Sequence, residues 1–90
     1  MNIEINKEFK QNYLVQDNNT AKFMGSGDLE VLATPSLVAF MENAAKEYLN
    51  TFLPEELGSV GSNININHIA PTLVGKEITV QGKITDIIQN

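Results

Sequence analysis

Apolar side chains recur at helical spacing between residues 35 and 52, directly after the sequence Ala33-Thr34-Pro35. At about 100° per residue they share one broad face; they are Leu37, Val38, Met41, Ala44, Ala45, Tyr48, Leu49 and Phe52. The opposite face carries Ser36, Asn43, Lys46, Glu47 and Asn50. Thr34 is a good N-cap residue, and Pro35 suits the first helical position because its missing N–H costs nothing there. The pattern predicts a helix from Pro35 to about Phe52, with Glu42 at the edge of the apolar face.

Residues 59–69 alternate between apolar and polar side chains with a period of two, which is typical of a half-buried strand. One face would carry Val60, Ser62, Ile64, Ile66 and His68, and the other Asn63, Asn65 and Asn67. The only histidine of the chain therefore lies on the face expected to meet the helix. Looser alternation predicts strands over residues 8–16 and 76–88, and Gly82 indicates a bulge or a close approach. We expect strands 59–69 and 76–88 to form an antiparallel pair.

The remaining segments are predicted to be turns and loops that connect these elements. Residues 17–20 are turn-forming, residues 21–24 favour a short strand or turn, and Gly25-Ser-Gly-Asp28 is a flexible loop. The order of strand, helix and then consecutive strands predicts an α+β fold with the helix packed on an antiparallel sheet. The sequence stops at Asn90 inside a predicted strand. Because an unpaired sheet edge recruits another chain, we expect an obligate oligomer or a fragment of a longer protein.

Composition excludes several classes of protein. The chain has 90 residues, a net charge of −5, and six lysines as its only basic residues besides one histidine. No basic cluster exists for a nucleic acid. Without cysteine there is no disulfide, thiolate zinc site or cysteine nucleophile, and no metal site is expected. No apolar run is long enough to cross a membrane, and the N-terminus lacks a signal-peptide pattern. We therefore expect a cytoplasmic protein.

Four residues are candidates for chemistry, and each also has an ordinary structural explanation. His68 is either a strand histidine bonded to backbone or a proton-transfer group, since histidine is the side chain whose unperturbed pKa lies near neutrality. Glu42 is either a boundary charge facing water or a general base or nucleophile. Thr34 is either a plain N-cap or a hydroxyl that supports a developing oxyanion at a helix N-terminus. Gly61 is either a strand irregularity or a place where a ligand approaches the backbone.

Two segments carry a family resemblance. Residues 31–45 contain Ala-Thr-Pro and, six residues further on, Met-Glu, while residues 58–75 contain Gly-Ser-Val-Gly and then His-Ile-Ala-Pro-Thr. Together they resemble the hotdog-fold thioesterases of the fluoroacetyl-CoA thioesterase-like family. The resemblance implies a hotdog fold, in which an antiparallel sheet wraps around one long helix. We expect residues 1–90 to form a single such domain that lacks the last two or so strands.

The resemblance also implies a function. It assigns the catalytic roles to Thr34, Glu42 and His68 and places Gly61 in the acyl site, with an acyl-CoA or another acyl thioester as substrate and no cofactor. Members of the family dimerise with active sites at the subunit interface, so a homodimer or higher homo-oligomer is expected. The loop at residues 25–28 has no aromatic lid, which argues against fluoroacetyl selectivity and leaves hydrolysis of a short acyl thioester as the prediction. A non-catalytic acyl-thioester-binding module and an inactive truncated domain remain alternatives.

The spacing of two candidates constrains any shared site. Thr34 and Glu42 are eight positions apart, which is about 12 Å along a helix axis at 1.5 Å per residue. Two side chains of one helix do not meet across such a gap. A site that uses both would therefore combine them from different subunits or bind the substrate between them.

Overall fold

The architecture is a long helix against a two-stranded antiparallel sheet, as seen in a computed structural model that describes residues 3–88. The elements are strand β1 (Glu8–Leu14), a 3₁₀ turn (Asp17–Asn19), helix α1 (Ala21–Met24), helix α2 (Thr34–Asn50) and strand β2 (Glu77–Lys83). β1 and β2 pair without interruption, with Phe9 opposite Gly82 and Tyr13 opposite Ile78. The α+β prediction is confirmed, although the partner of β2 is β1.

Helix α2 begins one residue earlier than predicted. Ala33 has extended backbone angles and is the N-cap, while Thr34 is the first helical residue and its side chain caps nothing. The carbonyl of Ala33 accepts the first helical bond, from the N–H of Leu37 at 3.0 Å. The prediction that Thr34 caps the helix is therefore wrong, and its hydroxyl is available for another partner. The helix ends at Asn50, two residues before the predicted Phe52.

Aromatic stacking fixes α2 on the sheet. The ring of Phe9 stacks on Tyr48 with centroids 4.5 Å apart, and the ring of Tyr13 stacks on Phe40 at 4.6 Å. Gly82 lies directly beneath Phe9: a Cβ at this position would be 2.6 Å from Phe9 Cζ. The predicted close approach at Gly82 is confirmed, and the continuous pairing of β1 with β2 shows that it is not a bulge.

The strand predicted over residues 59–69 is not formed in this chain, and neither is its pairing with residues 76–88. A strand needs a backbone partner as well as a side-chain pattern, and β2 pairs with β1. Part of the predicted alternation persists: Ile66 and His68 are half-buried, while Asn67 between them is exposed. At the other end of the segment Val60 is 93% exposed, so its predicted inward position is wrong.

The segment before α2 also differs from prediction. Residues 21–24 form one helical turn, because the Thr20 hydroxyl accepts the N–H of Phe23 at 3.1 Å and caps it. Gly25 ends this turn with a φ of 75°, a left-handed conformation that glycine adopts without strain. Helix α1 therefore replaces the short strand or turn expected there.

The buried core is small, and half of it lies where the chain enters α2. Among the described residues, the fully buried apolar side chains are Val15, Leu32, Ala33 and Ala44. Many larger apolar side chains stay exposed, including Val60, Leu73 and Ile69, which is 91% exposed. Within residues 3–88 no helix has the length and apolar character needed to cross a bilayer.

Candidate active site

Thr34 and His68 are in direct contact. The Thr34 hydroxyl oxygen is 2.9 Å from His68 Nδ1, which is hydrogen-bond distance. When the proton of the neutral imidazole is on Nε2, the hydroxyl donates to Nδ1. His68 is half-buried and Thr34 is exposed. Two of the four residues singled out in the sequence therefore form a hydroxyl–imidazole pair within one chain.

Backbone hydrogen bonds hold the start of α2 in place for this contact. The N–H of Leu32 donates to the carbonyl of Thr72 at 2.8 Å, and the N–H of Ala33 donates to the carbonyl of Asn19 at 2.8 Å. Val31 forms an antiparallel bridge with Leu73. The chain leading into Thr34 is thus fixed on two sides. The same bonds fix residues 72–73. Because His68 lies only four positions before Thr72, they also keep it near the start of α2.

Glu42 lies against Gly61. A Cβ built on Gly61 would be 2.6 Å from Glu42 Oε2 and 3.5 Å from the carboxyl carbon. The carboxylate therefore occupies the space that a side chain at position 61 would need. Glycine at this position leaves room for the Glu42 carboxylate, and the approach of a ligand to Gly61 stays a prediction.

Glu42 and His68 line two neighbouring grooves. We call the first the glutamate groove; it has a volume of about 620 Å³ and lies between α2 and residues 59–64. Its lining is Met41, Glu42, Asn43, Ala45, Lys46, Leu49, Ser59, Val60, Gly61, Asn63 and Ile64. The second, the histidine groove, has a volume of about 360 Å³ and lies between β2 and residues 66–70, with His68 in its wall. Met41 lines both grooves. Within one chain, Glu42 and His68 thus face different spaces that adjoin at Met41.

One polar contact beside the glutamate groove was not foreseen from the sequence. The Tyr13 hydroxyl donates to Asn43 Oδ1 at 2.7 Å, and Asn43 and Lys46 both line the groove with Glu42. Burial raises the pKa of Tyr13 above its usual value of 10.0, and the negative charge of Glu47 raises it further. The helical pattern alone assigned Asn43 and Lys46 to a solvent face. No signal in the sequence shows that residues 59–64 return alongside that face.

Solved structures with the same fold were found by comparison. A mutant of the fluoroacetyl-CoA-specific thioesterase FlK in complex with fluoroacetate and CoA superposes with a TM-score of 0.90 at 24% identity, over 97% of this chain and 74% of that one. The same mutant in a second crystal structure gives 0.91 at 23% identity, over 98% and 70% of the two chains. Another FlK mutant, in complex with acetyl-CoA, gives 0.88 at 23% identity, over 96% and 69%.

These superpositions show the fold: the chain has the hotdog fold seen in thioesterases. The sequence model of the fluoroacetyl-CoA-specific thioesterase family matches residues 15–90. Because this match spans most of the chain, the protein belongs to that family. No curated protein sequence matches it. The fold and family expected from the Thr34–Pro35 and His68–Thr72 motifs are therefore confirmed.

Proposed function

We propose that this protein is an acyl-CoA thioesterase that hydrolyses a short acyl thioester to a carboxylic acid and a free thiol. The observation that carries the proposal is the hydrogen bond between Thr34 and His68, with Glu42 two turns further along the same helix. Membership of the family supports thioester hydrolysis. Solved relatives in complex with CoA and with acetyl-CoA support an acyl-CoA as the substrate.

Glu42 can act by either of two routes. As a general base it takes a proton from water while the water oxygen attacks the thioester carbonyl carbon. As a nucleophile its carboxylate attacks that carbon and forms a mixed anhydride, which water then cleaves. In both routes the C–S bond breaks and the leaving thiolate takes up a proton. His68, as the imidazolium, supplies that proton and regains one from the water that hydrolysis consumes, while Thr34 holds the imidazole ring through its contact with Nδ1.

The proposed reaction needs Glu42 and the Thr34–His68 pair in one site, and we propose that a homodimer brings them together. Thr34 contacts His68 and Glu42 lies against Gly61, while the two grooves stay distinct within one chain. The Cα radius of gyration is 14.9 Å, against about 12 Å for a compact domain of this length. Such an open chain with exposed apolar side chains has surface for a second copy. Thr34 and Glu42 are eight positions apart on α2, so their side chains do not meet within one helix. A site that joins Glu42 of one subunit to the Thr34–His68 pair of another does not require them to meet.

A non-catalytic acyl-thioester-binding module is the second candidate function. The observation that favours it is the exposure of Glu42 together with its separation from His68 in the single chain. Such a module would hold an acyl-CoA without cleaving it. We place either protein in the cytoplasm, since a chain without cysteine makes no use of an oxidising compartment.

The two functions are distinguished by one assay. The protein is incubated with acetyl-, butyryl- and hexanoyl-CoA, and released CoA is measured with a thiol reagent, while binding is measured by calorimetry. Turnover that is lost in Glu42→Gln establishes the hydrolase, because glutamine keeps the shape of the side chain but removes the base and the nucleophile. Binding without turnover establishes the module. Glu56→Gln is the control, since Glu56 lines neither groove.

A further inference from the structure

Tyr13 is held at both ends. Its ring stacks on Phe40 with centroids 4.6 Å apart and an interplanar angle of 13°, and its hydroxyl donates to Asn43 Oδ1 at 2.7 Å. Phe40 and Asn43 are one turn apart on α2, so the two contacts engage the same short stretch of helix. β1 thus fixes one polar side chain on the rim of the glutamate groove.

The direction of this hydrogen bond determines what the Asn43 amide offers. An asparagine side chain has one acceptor oxygen and one NH₂ donor group. In the structure Oδ1 is the end that faces Tyr13, and the tyrosine hydroxyl donates to it. A tyrosine hydroxyl is protonated at neutral pH, and burial and the charge of Glu47 raise the pKa of Tyr13 further. The Nδ2 donor group of Asn43 is therefore left for another partner.

Asn43 lines the same groove as Glu42 and Gly61. A thioester carbonyl under attack develops negative charge on its oxygen, and donors that are oriented in advance stabilise it without reorganisation. Ser59, Asn63 and Lys46 also line the groove. Asn43 differs from them because a hydrogen bond from a stacked tyrosine sets the orientation of its amide.

We propose that Asn43 is a further catalytic residue, whose Nδ2–H donates to the thioester carbonyl oxygen beside Glu42, and that Tyr13 is its positioning residue. This inference rests on the proposed thioesterase function. It assigns the two ends of the Asn43 amide to two tasks: the oxygen accepts from Tyr13, and the nitrogen contacts the substrate.

The test uses two substitutions and their combination. Tyr13→Phe removes the hydroxyl but keeps the ring that stacks on Phe40. Asn43→Leu keeps the approximate shape of the side chain and adds no charge beside Glu42. We expect kcat to fall about 100-fold in Asn43→Leu, as for loss of one oxyanion donor, and about tenfold in Tyr13→Phe, with KM changed less than about twofold in both. In the double variant, Tyr13→Phe causes no further loss, because it acts through Asn43.

Controls separate this role from a structural one. Thr79 donates to Asn12 Oδ1 at 2.8 Å, which is a side-chain bond of similar length that joins β2 to β1 and does not involve α2. Asn12 lines neither groove, so Asn12→Ala should leave kcat unchanged. Unchanged kcat in Asn43→Leu, or losses that multiply in the double variant, would overturn this inference while wild-type turnover leaves the thioesterase proposal intact. Absence of wild-type turnover on every acyl-CoA would instead overturn the proposed function itself.

Discussion

The hydroxyl oxygen of Thr34 and Nδ1 of His68 lie 2.9 Å apart, although the residues are 34 positions apart in the chain. This contact is possible because Ala33, not Thr34, is the N-cap of α2. A threonine at the N-cap would ordinarily accept a backbone N–H of its own helix. Here its hydroxyl is directed to the one histidine of the chain, which makes the pair a candidate for proton transfer.

Removal of the Thr34 hydroxyl should impair turnover without unfolding the protein. Thr34→Val keeps the shape of the side chain but leaves His68 Nδ1 without this partner. We expect kcat for acyl-CoA hydrolysis to fall about tenfold, the factor that corresponds to one hydrogen bond of about 1.4 kcal/mol. Thr34→Ser retains the hydroxyl and should stay within about threefold of wild type by the same reasoning. Equal activity of the valine and serine variants would refute a role for the hydroxyl.

Gly61→Ala should reduce activity more than stability. The new Cβ would meet Glu42 Oε2 at 2.6 Å, and a flexible carboxylate yields by rotating away from its position. Because a displaced catalytic group loses much of its effect, we expect kcat to fall at least about tenfold. The Tm should change little. Gly58→Ala is the matched control, since nothing lies within 4 Å of its Cβ; a similar loss of activity in both variants would contradict the assignment.

The sequence singled out two residues that lie in contact, whereas it predicted one strand that is not formed. Thr34 and His68 lie in motifs whose separation identifies the family, and the structure brings their side chains together. Residues 59–69 show the alternation of a strand but have none within this chain. Side-chain period is a local property, whereas a strand depends on which backbone lies beside it. The pairing of β2 with β1 across some 70 residues could not be inferred from either segment alone.

The Tyr13–Asn43 contact illustrates a second limit. Helical spacing assigned Asn43 to a solvent-facing side of α2 and did not show that Tyr13 of β1 contacts it. It could not show that residues 59–64 turn back to form a groove there, because the path of an irregular segment leaves no periodic signal. The same path brings Gly61 to Glu42. In that case the glycine supplied a hint, since a lone glycine in an alternating segment indicates a close approach.

Gly82→Ala should destabilise the fold. Its Cβ would be 2.6 Å from Phe9 Cζ, and the Phe9 ring cannot move freely because it stacks on Tyr48 at 4.5 Å. Overpacking of this kind costs about 1–3 kcal/mol, which lowers the Tm of a domain this size by several degrees or more. Thermal unfolding followed by circular dichroism measures the change. A Tm equal to that of wild type would show that the ring relaxes at no cost.

Alkaline pH should destabilise the protein partly through Tyr13. Burial raises the pKa of this residue above its ordinary value of 10.0, and the charge of Glu47 adds to the effect. The unfolded chain therefore releases the Tyr13 proton at a lower pH than the folded chain. Its contribution to stability is complete below the unfolded pKa and is lost as the pH rises through the folded one. Above about pH 10, the Tm of wild type should fall more steeply with pH than that of Tyr13→Phe; parallel curves would contradict this.

The central claim is that the Thr34–His68 pair of one subunit and Glu42 of another act on the same thioester. It is tested most directly by mixing two inactive variants of the protein, His68→Ala and Glu42→Ala, under conditions that allow subunit exchange, and measuring CoA release. Heterodimers would contain one complete site, so a 1:1 mixture should recover roughly a quarter of wild-type activity, as expected for random pairing in a two-fold dimer. Each variant alone should stay inactive. No recovery, in a mixture shown by mass spectrometry to contain heterodimers, would contradict the shared site.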